Sequence, residues 1–189
     1  MAMQLDGKKV AILATDGFEQ SELEQPRDAL KQAGATVEIV SLKAGEIRGW
    51  KNKDWGSAVK VDRALDQAQA GDYDALVLPG GVINPDKLRV EPKAVAFVKS
   101  FNDAKKPIAA ICHGPWLLVE AGVIEGVQAT SYKSIRTDME NAGALWVDRE
   151  VVVDRGIVTS RSPDDLPAFC RKAIEEIAEG KHQQRDAAE

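Results

Sequence analysis

The chain of 189 residues is short of the residues that usually announce a site. It has two cysteines, Cys112 and Cys170, and two histidines, His113 and His182. Two cysteines do not make a disulfide framework, and they fit a reducing compartment. A metal centre of His and Cys ligands has almost no material, because His182 falls in the polar stretch EGKHQQRDAAE, which carries no packing signal. No metal and no cofactor are expected. No apolar run approaches the ~18 residues of a membrane span. The opening MAMQLDGKKVAIL lacks the apolar core of a signal peptide. A cytoplasmic protein without a membrane partner is expected. Basic residues do not cluster and the net charge is −5, so nucleic acid is not an expected partner.

Other quantities are ordinary. Hydrophobic residues make up 44% and charged residues 29%, enough for a full core. At roughly 100–200 residues per domain the length predicts one domain. No repeat, low-complexity segment or linker divides it, so the expectation is a single domain over 1–181 and a charged tail over 182–189.

Short apolar runs alternate with helical patterns. KKVAILAT (8–15), TVEIVSL (36–42), DALVLPGG (74–81) and PIAAI (107–111) read as buried strands. EQSELEQPRDALKQAG reads as a helix that Pro26 should kink or open. EPKAVAFVKSFNDAKK and GPWLLVEAG read as helices, and KAGEIRGWKNKDWGSAVKVD as short strands or a hairpin. Strands are expected around the Asp154–Gly156 turn, then a last helix with Ser162 as N-cap and Pro163 in its first turn. Alternation of this kind predicts a parallel sheet with helices on both faces.

The chemistry concentrates in PIAAICHGPWLLVEAG (107–122). A thiol and an imidazole stand side by side where a strand gives way to a helix. Ala110, Cys112 and Gly114 have the small-x-nucleophile-x-small spacing that a nucleophile elbow requires, since larger side chains there would clash. Such a turn places its nucleophile at the carboxyl end of the sheet, where open α/β folds bind ligands. A helix amino terminus aimed at the sulfur would favour thiolate. The expectation is an exposed, ionised Cys112 with His113 as base or donor. The competing reading is an inert core thiol, the commonest fate of a cysteine among small apolar residues. Two further strand ends matter. Gly80 and Gly81 follow a buried strand, and their bare N–H groups, together with His113, could form an oxyanion hole, or the glycines merely a turn. DGFEQSELEQP places Glu19, Glu22 and Glu24 after the first strand. A carboxyl forced into the cleft would stay protonated and donate to the sulfur, whereas a solvated one would not. The residues alone do not single out one of the three.

Taken together, DALVLPGG, AAICHGPWLLVEAGVIEG, TSYKSIRTDMENAGALWVDREVVVD and DGFEQSELEQP resemble the ThiJ/PfpI superfamily, most of all its PfpI-like intracellular protease and deglycase branch. The resemblance runs from Val10 to the helix ending near Gly180 and implies a flavodoxin-like α/β sandwich related to the glutaminase domain of class I amidotransferases. It implies Cys112 as nucleophile, His113 as its neighbour, and Glu22, four residues before Pro26, as the glutamate that meets the cysteine. It further implies a third triad member donated by a neighbouring subunit from the loop after Gly80-Gly81, here Asp86, where the family often carries glutamate. A homodimer or larger homo-oligomer follows. The implied activity is thiolate attack on an electrophilic carbonyl: deglycase, cofactor-independent glyoxalase or cysteine peptidase, often linked to stress. Small dicarbonyls and their adducts are favoured over extended peptides. An amidotransferase would need a downstream histidine, and none lies between His113 and His182. A non-enzymatic redox sensor or chaperone-like stress protein would need only an oxidisable Cys112.

Overall fold

The computed structural model describes residues 2–182. Strand β1 (Lys9–Leu13) leads through β2 (Phe18–Glu19) into α1 (Gln20–Gln32) and β3 (Thr36–Ser41). A hairpin of β4 (Glu46–Lys51) and β5 (Asp54–Lys60) follows, then β6 (Arg63–Ala64), β7 (Ala75–Leu78), α2 (Ile83–Leu88) and α3 (Pro92–Asp103). The rest is β8 (Ile108–Ile111), α4 (Trp116–Glu120), β9 (Gln128–Ala129), α5 (Arg136–Asn141), β10 (Leu145–Trp146), β11 (Val152–Asp154), β12 (Ile157–Ser160) and α6 (Leu166–Glu179).

Seven strands form the central sheet in the order β11-β12-β8-β7-β1-β3-β6. Every pairing in it is parallel except β11 with β12, which turn back on each other at Asp154–Ile157. The flavodoxin-like α/β architecture expected from the sequence is therefore present. Strand alternation splits the apolar residues between two faces. Ala11 and Leu13 of β1 pack toward Phe97, Val98 and Phe101 of α3 and Leu117 of α4. Val10 and Ile12 pack the other way, toward Leu23 and Leu30 of α1 and Phe169, Ala173 and Ile177 of α6. Because both faces are covered, β1, β7 and β8 are almost wholly apolar and buried.

The chain leaves β1 toward β3 on one side and returns to β7 on the other. A crevice opens between such diverging crossovers at the carboxyl ends of the strands. The loops after β1, β7 and β8 all end there. The hairpin joins β2 in a separate three-stranded sheet beside this crevice.

Several local expectations change. α1 begins six residues before Pro26, so the proline opens nothing; it lies buried within the helix. The segment after Gly81, expected as a loop, is the short helix α2, so Asp86 stands on a helix. Ser162 precedes a 3-10 turn over Pro163–Asp165 and its side chain caps nothing. The Asp165 carboxylate instead accepts from the Arg161 backbone N–H at 2.9 Å and from its guanidinium at 2.9 and 3.0 Å. His182, expected in an unpacked tail, is held: its backbone N–H donates to Lys105 O at 2.9 Å, and its Nε2 lies 2.8 Å from Glu176 Oε2. The remainder of the expected tail lies outside the described residues.

Candidate active site

β8 ends at Ile111, and Cys112 takes up a left-handed backbone with φ of +63°. That conformation costs an L-residue roughly 1–2 kcal/mol. It is held by the Cys112 N–H donating to Ser160 O of β12 at 3.0 Å and by Gly114 N–H donating to Ile111 O at 2.9 Å. The turn tolerates no side chain at Gly114: a Cβ there would lie 2.5 Å from Leu78 O and 2.9 Å from Ile111 O. The steric reason for a small residue two positions after the cysteine is thus visible.

Glu22 enters from α1 and is fully buried. Its Oε2 accepts from Gly80 N–H at 2.8 Å. Oε1 is also buried and has no hydrogen-bond partner, and the carboxyl stands beside Cys112, across the gap left by Gly80. Burial pushes the Glu22 carboxyl up to about 8, with the nearby Glu19 charge acting in the same direction. Of the three candidate acids, Glu22 is the one brought to the thiol. Glu24 is partly exposed and accepts from Gln20 Nε2 at 3.3 Å.

The thiol departs from expectation. Cys112 is only 6% exposed. Burial pushes its pKa up, and Glu22 beside it adds to the rise; the N–H groups of Gly81 and His113 face the sulfur and pull the other way. The helix expected to aim its amino terminus at the sulfur starts only at Trp116 and has five residues. Burial and the neighbouring Glu22 therefore outweigh the two N–H groups in the resting site. The two glycines divide their work as well. Of the three residues expected at an oxyanion hole, Gly80 has its N–H committed to Glu22, and the N–H groups that face the sulfur belong to Gly81 and His113. A Cβ on Gly80 would stand 2.5 Å from Glu22 Oε2 and 2.6 Å from Cys112 Cβ, so glycine there is what lets carboxyl and thiol meet.

His113 turns its Nδ1 to within 3.2 Å of Cys112 Sγ. Its Nε2 lies 3.2 Å from Ser134 Oγ. The ring stacks on Tyr132 at 4.7 Å and meets the edge of Trp116 at 5.0 Å. Burial lowers its pKa, which keeps the imidazole neutral. Asp86 is not brought to His113 within the chain. Its carboxylate is 56% exposed on α2 and pairs with Arg89 at 2.7 Å. The Arg89 guanidinium in turn lies 4.1 Å from the centre of the Trp116 ring.

Residues that sequence reasoning passed over complete the site. Ser134 and Tyr132 fix the imidazole. Asn84 is fully buried; its Oδ1 accepts from Thr15 N–H at 2.8 Å and its Nδ2 donates to Pro79 O and Gly80 O at 3.0 and 3.1 Å. It ties the loop after β1 to the loop after β7, and so holds Glu22 and Gly80 in register. An Asn-Pro pair reads as a turn, and nothing in the sequence distinguishes this structural clamp from one. The cavity above the sulfur has a volume of about 530 Å³ and is lined by Glu19, Trp50, Gly81, Ile83, His113 and Tyr132, among others. That is the size of a small-molecule site.

A strained thiol flanked by a buried carboxyl and an imidazole, at the carboxyl edge of a parallel sheet, defines a cysteine-centred α/β site. The profile of the DJ-1/PfpI family matches residues 8–176, and the chain belongs to that family. It is 47% identical to General stress protein 18 of Bacillus subtilis over 169 residues, covering 89% of this chain and 96% of that one. It is 46% identical to Protein/nucleic acid deglycase 2 of Escherichia coli, over 88% of this chain and 96% of that one. Among solved structures, a two-domain protein of Anabaena variabilis with DJ-1/ThiJ/PfpI-like and ferritin-like domains superposes with a TM-score of 0.85 at 38% identity. That match covers 90% of this chain and 48% of the two-domain one.

Proposed function

We propose that this chain is a cysteine-dependent deglycase of the PfpI type, in which Cys112 attacks the electrophilic carbon of a small dicarbonyl or of its adduct on an amine. The observation that carries this reading is the meeting of Cys112 with Glu22 and His113 under a cavity sized for a small adduct. The deglycase name of the Escherichia coli relative supports it.

In this mechanism Glu22 keeps its proton and donates a hydrogen bond to the sulfur, because a second buried negative charge beside a thiolate is too costly. Attack moves the thiol proton to His113 Nδ1. The new C–S bond forms as the carbonyl electron pair moves to oxygen, and the Gly81 and His113 N–H groups, which face the sulfur before attack, take over stabilising that charge. His113 then returns the proton to the departing amine. Departure of the amine breaks its C–N bond and leaves a hemithioacetal. The hydrogen on the sulfur-bearing carbon then shifts to the adjacent carbonyl carbon, so that the first carbon is oxidised to a thioester as the second is reduced to an alcohol. One water hydrolyses the thioester, which releases the hydroxy acid and restores the thiol. The role of orienting acid falls to Asp86 of a neighbouring subunit in a homodimer. The exposed Val82 and Val90 bracketing α2 suit such an interface. No described helix is long and apolar enough to cross a membrane, and two free thiols suit a cytoplasmic location.

The test follows free amine and lactate by NMR after the protein is added to methylglyoxal-treated N-acetyl-lysine. Both should appear together, and Cys112→Ala should abolish both. Adducts that decay at the same rate with and without Cys112 would refute the proposal.

A further inference from the structure

Among the cavity residues that take no part in the mechanism above are Glu19 and Trp50. They are register partners in the parallel pair of β2 and β4. Partners in a ladder present their side chains on one face, and here that face is the cavity, which both residues line. Trp50 is held in a T-shaped contact with Trp55, with ring centres 5.4 Å apart and planes at 82°. Glu19 is half-buried, and burial raises its carboxyl pKa. Among the described residues its side-chain partner is Ser21 Oγ at 3.5 Å, a contact too long to satisfy a carboxylate. No cation among the described residues compensates it. The cavity lining contains no lysine or arginine, and its single imidazole is kept neutral by burial. Of the two carboxyls, Glu22 holds its proton up to about 8, so the negative charge of the pair falls on Glu19.

A carboxylate lacking a cation, opposite the fixed face of a tryptophan, is complementary to a planar cation. We infer that Glu19 and Trp50 form a subsite that receives the guanidinium of arginine-borne carbonyl adducts, and so direct the site toward modified protein arginines. A guanidinium can place its N–H fork on Glu19 and its plane on the Trp50 ring. A phosphate would meet a carboxylate and no cation, so adducts on nucleotides are disfavoured.

This inference rests on the deglycase reading, and its test does not depend on turnover. The probes are N-acetyl-arginine methylamide and its neutral isostere N-acetyl-citrulline methylamide, neither of which has a carbonyl that Cys112 attacks. Calorimetric titration of the full chain should show the arginine probe binding about tenfold tighter, the factor for one charge-assisted contact. Glu19→Gln should reduce the preference to under about twofold. Trp50→Leu should weaken the arginine probe in a chain whose Glu19 is intact. Equal affinities for the two probes, no measurable binding of either at millimolar concentration, a preference unchanged by Glu19→Gln, or tighter binding of adenosine monophosphate would each overturn the inference. If the preference is found but no adduct is repaired, the subsite stands and the deglycase reading falls.

Discussion

Replacing Glu22 with glutamine removes a proton-binding group while keeping its shape. The native carboxyl binds its proton up to about 8, whereas an unconstrained one releases it near 4.5. The unfolded chain therefore ionises first as pH rises. A group whose folded pKa is raised stabilises the fold fully below the unfolded value, and that contribution is lost as pH climbs through the folded one. From pH 5 to pH 8 the loss from this one group comes to roughly 3–4 kcal/mol, because each pH unit between the two values removes about 1.36 kcal/mol and the group is half-titrated at the upper end. The amide of the Glu22→Gln variant does not titrate, and its oxygen can still accept from Gly80 N–H.

The measurement is urea unfolding of wild type and Glu22→Gln across that range. It stops at pH 8, below the ordinary thiol value of 9.0, so that the unfolded cysteines contribute little. All other groups are common to the two chains and cancel in the difference. The difference in stability should move in favour of the variant by roughly 3–4 kcal/mol between pH 5 and pH 8. A difference constant to within about 0.5 kcal/mol would mean that Glu22 is already ionised in the native protein. The burial argument, and with it the donor role given to Glu22, would then be wrong.

Other perturbations have equally definite outcomes. Gly80→Ala should destabilise by roughly 1–3 kcal/mol and abolish activity, because its Cβ must occupy the gap between Glu22 and Cys112; an active, stable variant would show that the two groups need not meet. Iodoacetamide should modify Cys112 before Cys170, although burial raises both thiols, because Cys112 lines the cavity and has His113 Nδ1 at 3.2 Å to take its proton; equal rates by peptide mass analysis would remove the case for an activated thiol. Cys112→Ser and Asp86→Ala subunits, each nearly inactive, should regain activity when dissociated and reassembled together, because a mixed dimer holds one intact pairing across the interface. Subunit exchange shown by mass without regained activity would deny Asp86 a role across the interface.

Much of the architecture was legible because it depends on local pattern. Buried parallel strands are continuous apolar runs, and β1, β7 and β8 could be read as such. The spacing around Cys112 could also be read, because one steric rule governs it and Gly114 obeys that rule. α2 could not. Its six residues are too few to show a period, and Pro85 and Asn84 are ordinary turn residues outside their context. Ser134 was hidden for another reason. It reaches His113 only because the chain after β9 folds back over the turn at Cys112, an approach fixed by the Tyr132 N–H donating to Cys112 O at 2.8 Å. Such a contact belongs to the topology and leaves no mark on the local sequence.

The charge state of the thiol shows where one-dimensional reasoning must fail. A helix terminus and its dipole can be inferred from sequence, and they argue for thiolate. Burial cannot be inferred in the same way, and here it has the larger effect. A five-residue helix offers little dipole, while a sulfur shielded from water beside a buried carboxyl loses most of its solvation. The site can nevertheless reach a thiolate, because the two obstacles are linked. While Glu22 keeps its proton, its repulsion of the sulfur disappears and its O–H becomes a donor, joining the N–H groups of Gly81 and His113. Three donors around one sulfur can carry a single negative charge that none of them could carry alone. On this argument the pH at which Cys112 becomes reactive is set by Glu22 as much as by the cysteine. The thiolate absorbance of Glu22→Asp, which withdraws the carboxyl by one methylene, should therefore rise at higher pH than that of the wild type, while Glu24→Asp should leave it in place. Coincident curves for all three proteins would show that Cys112 titrates independently of its buried neighbour.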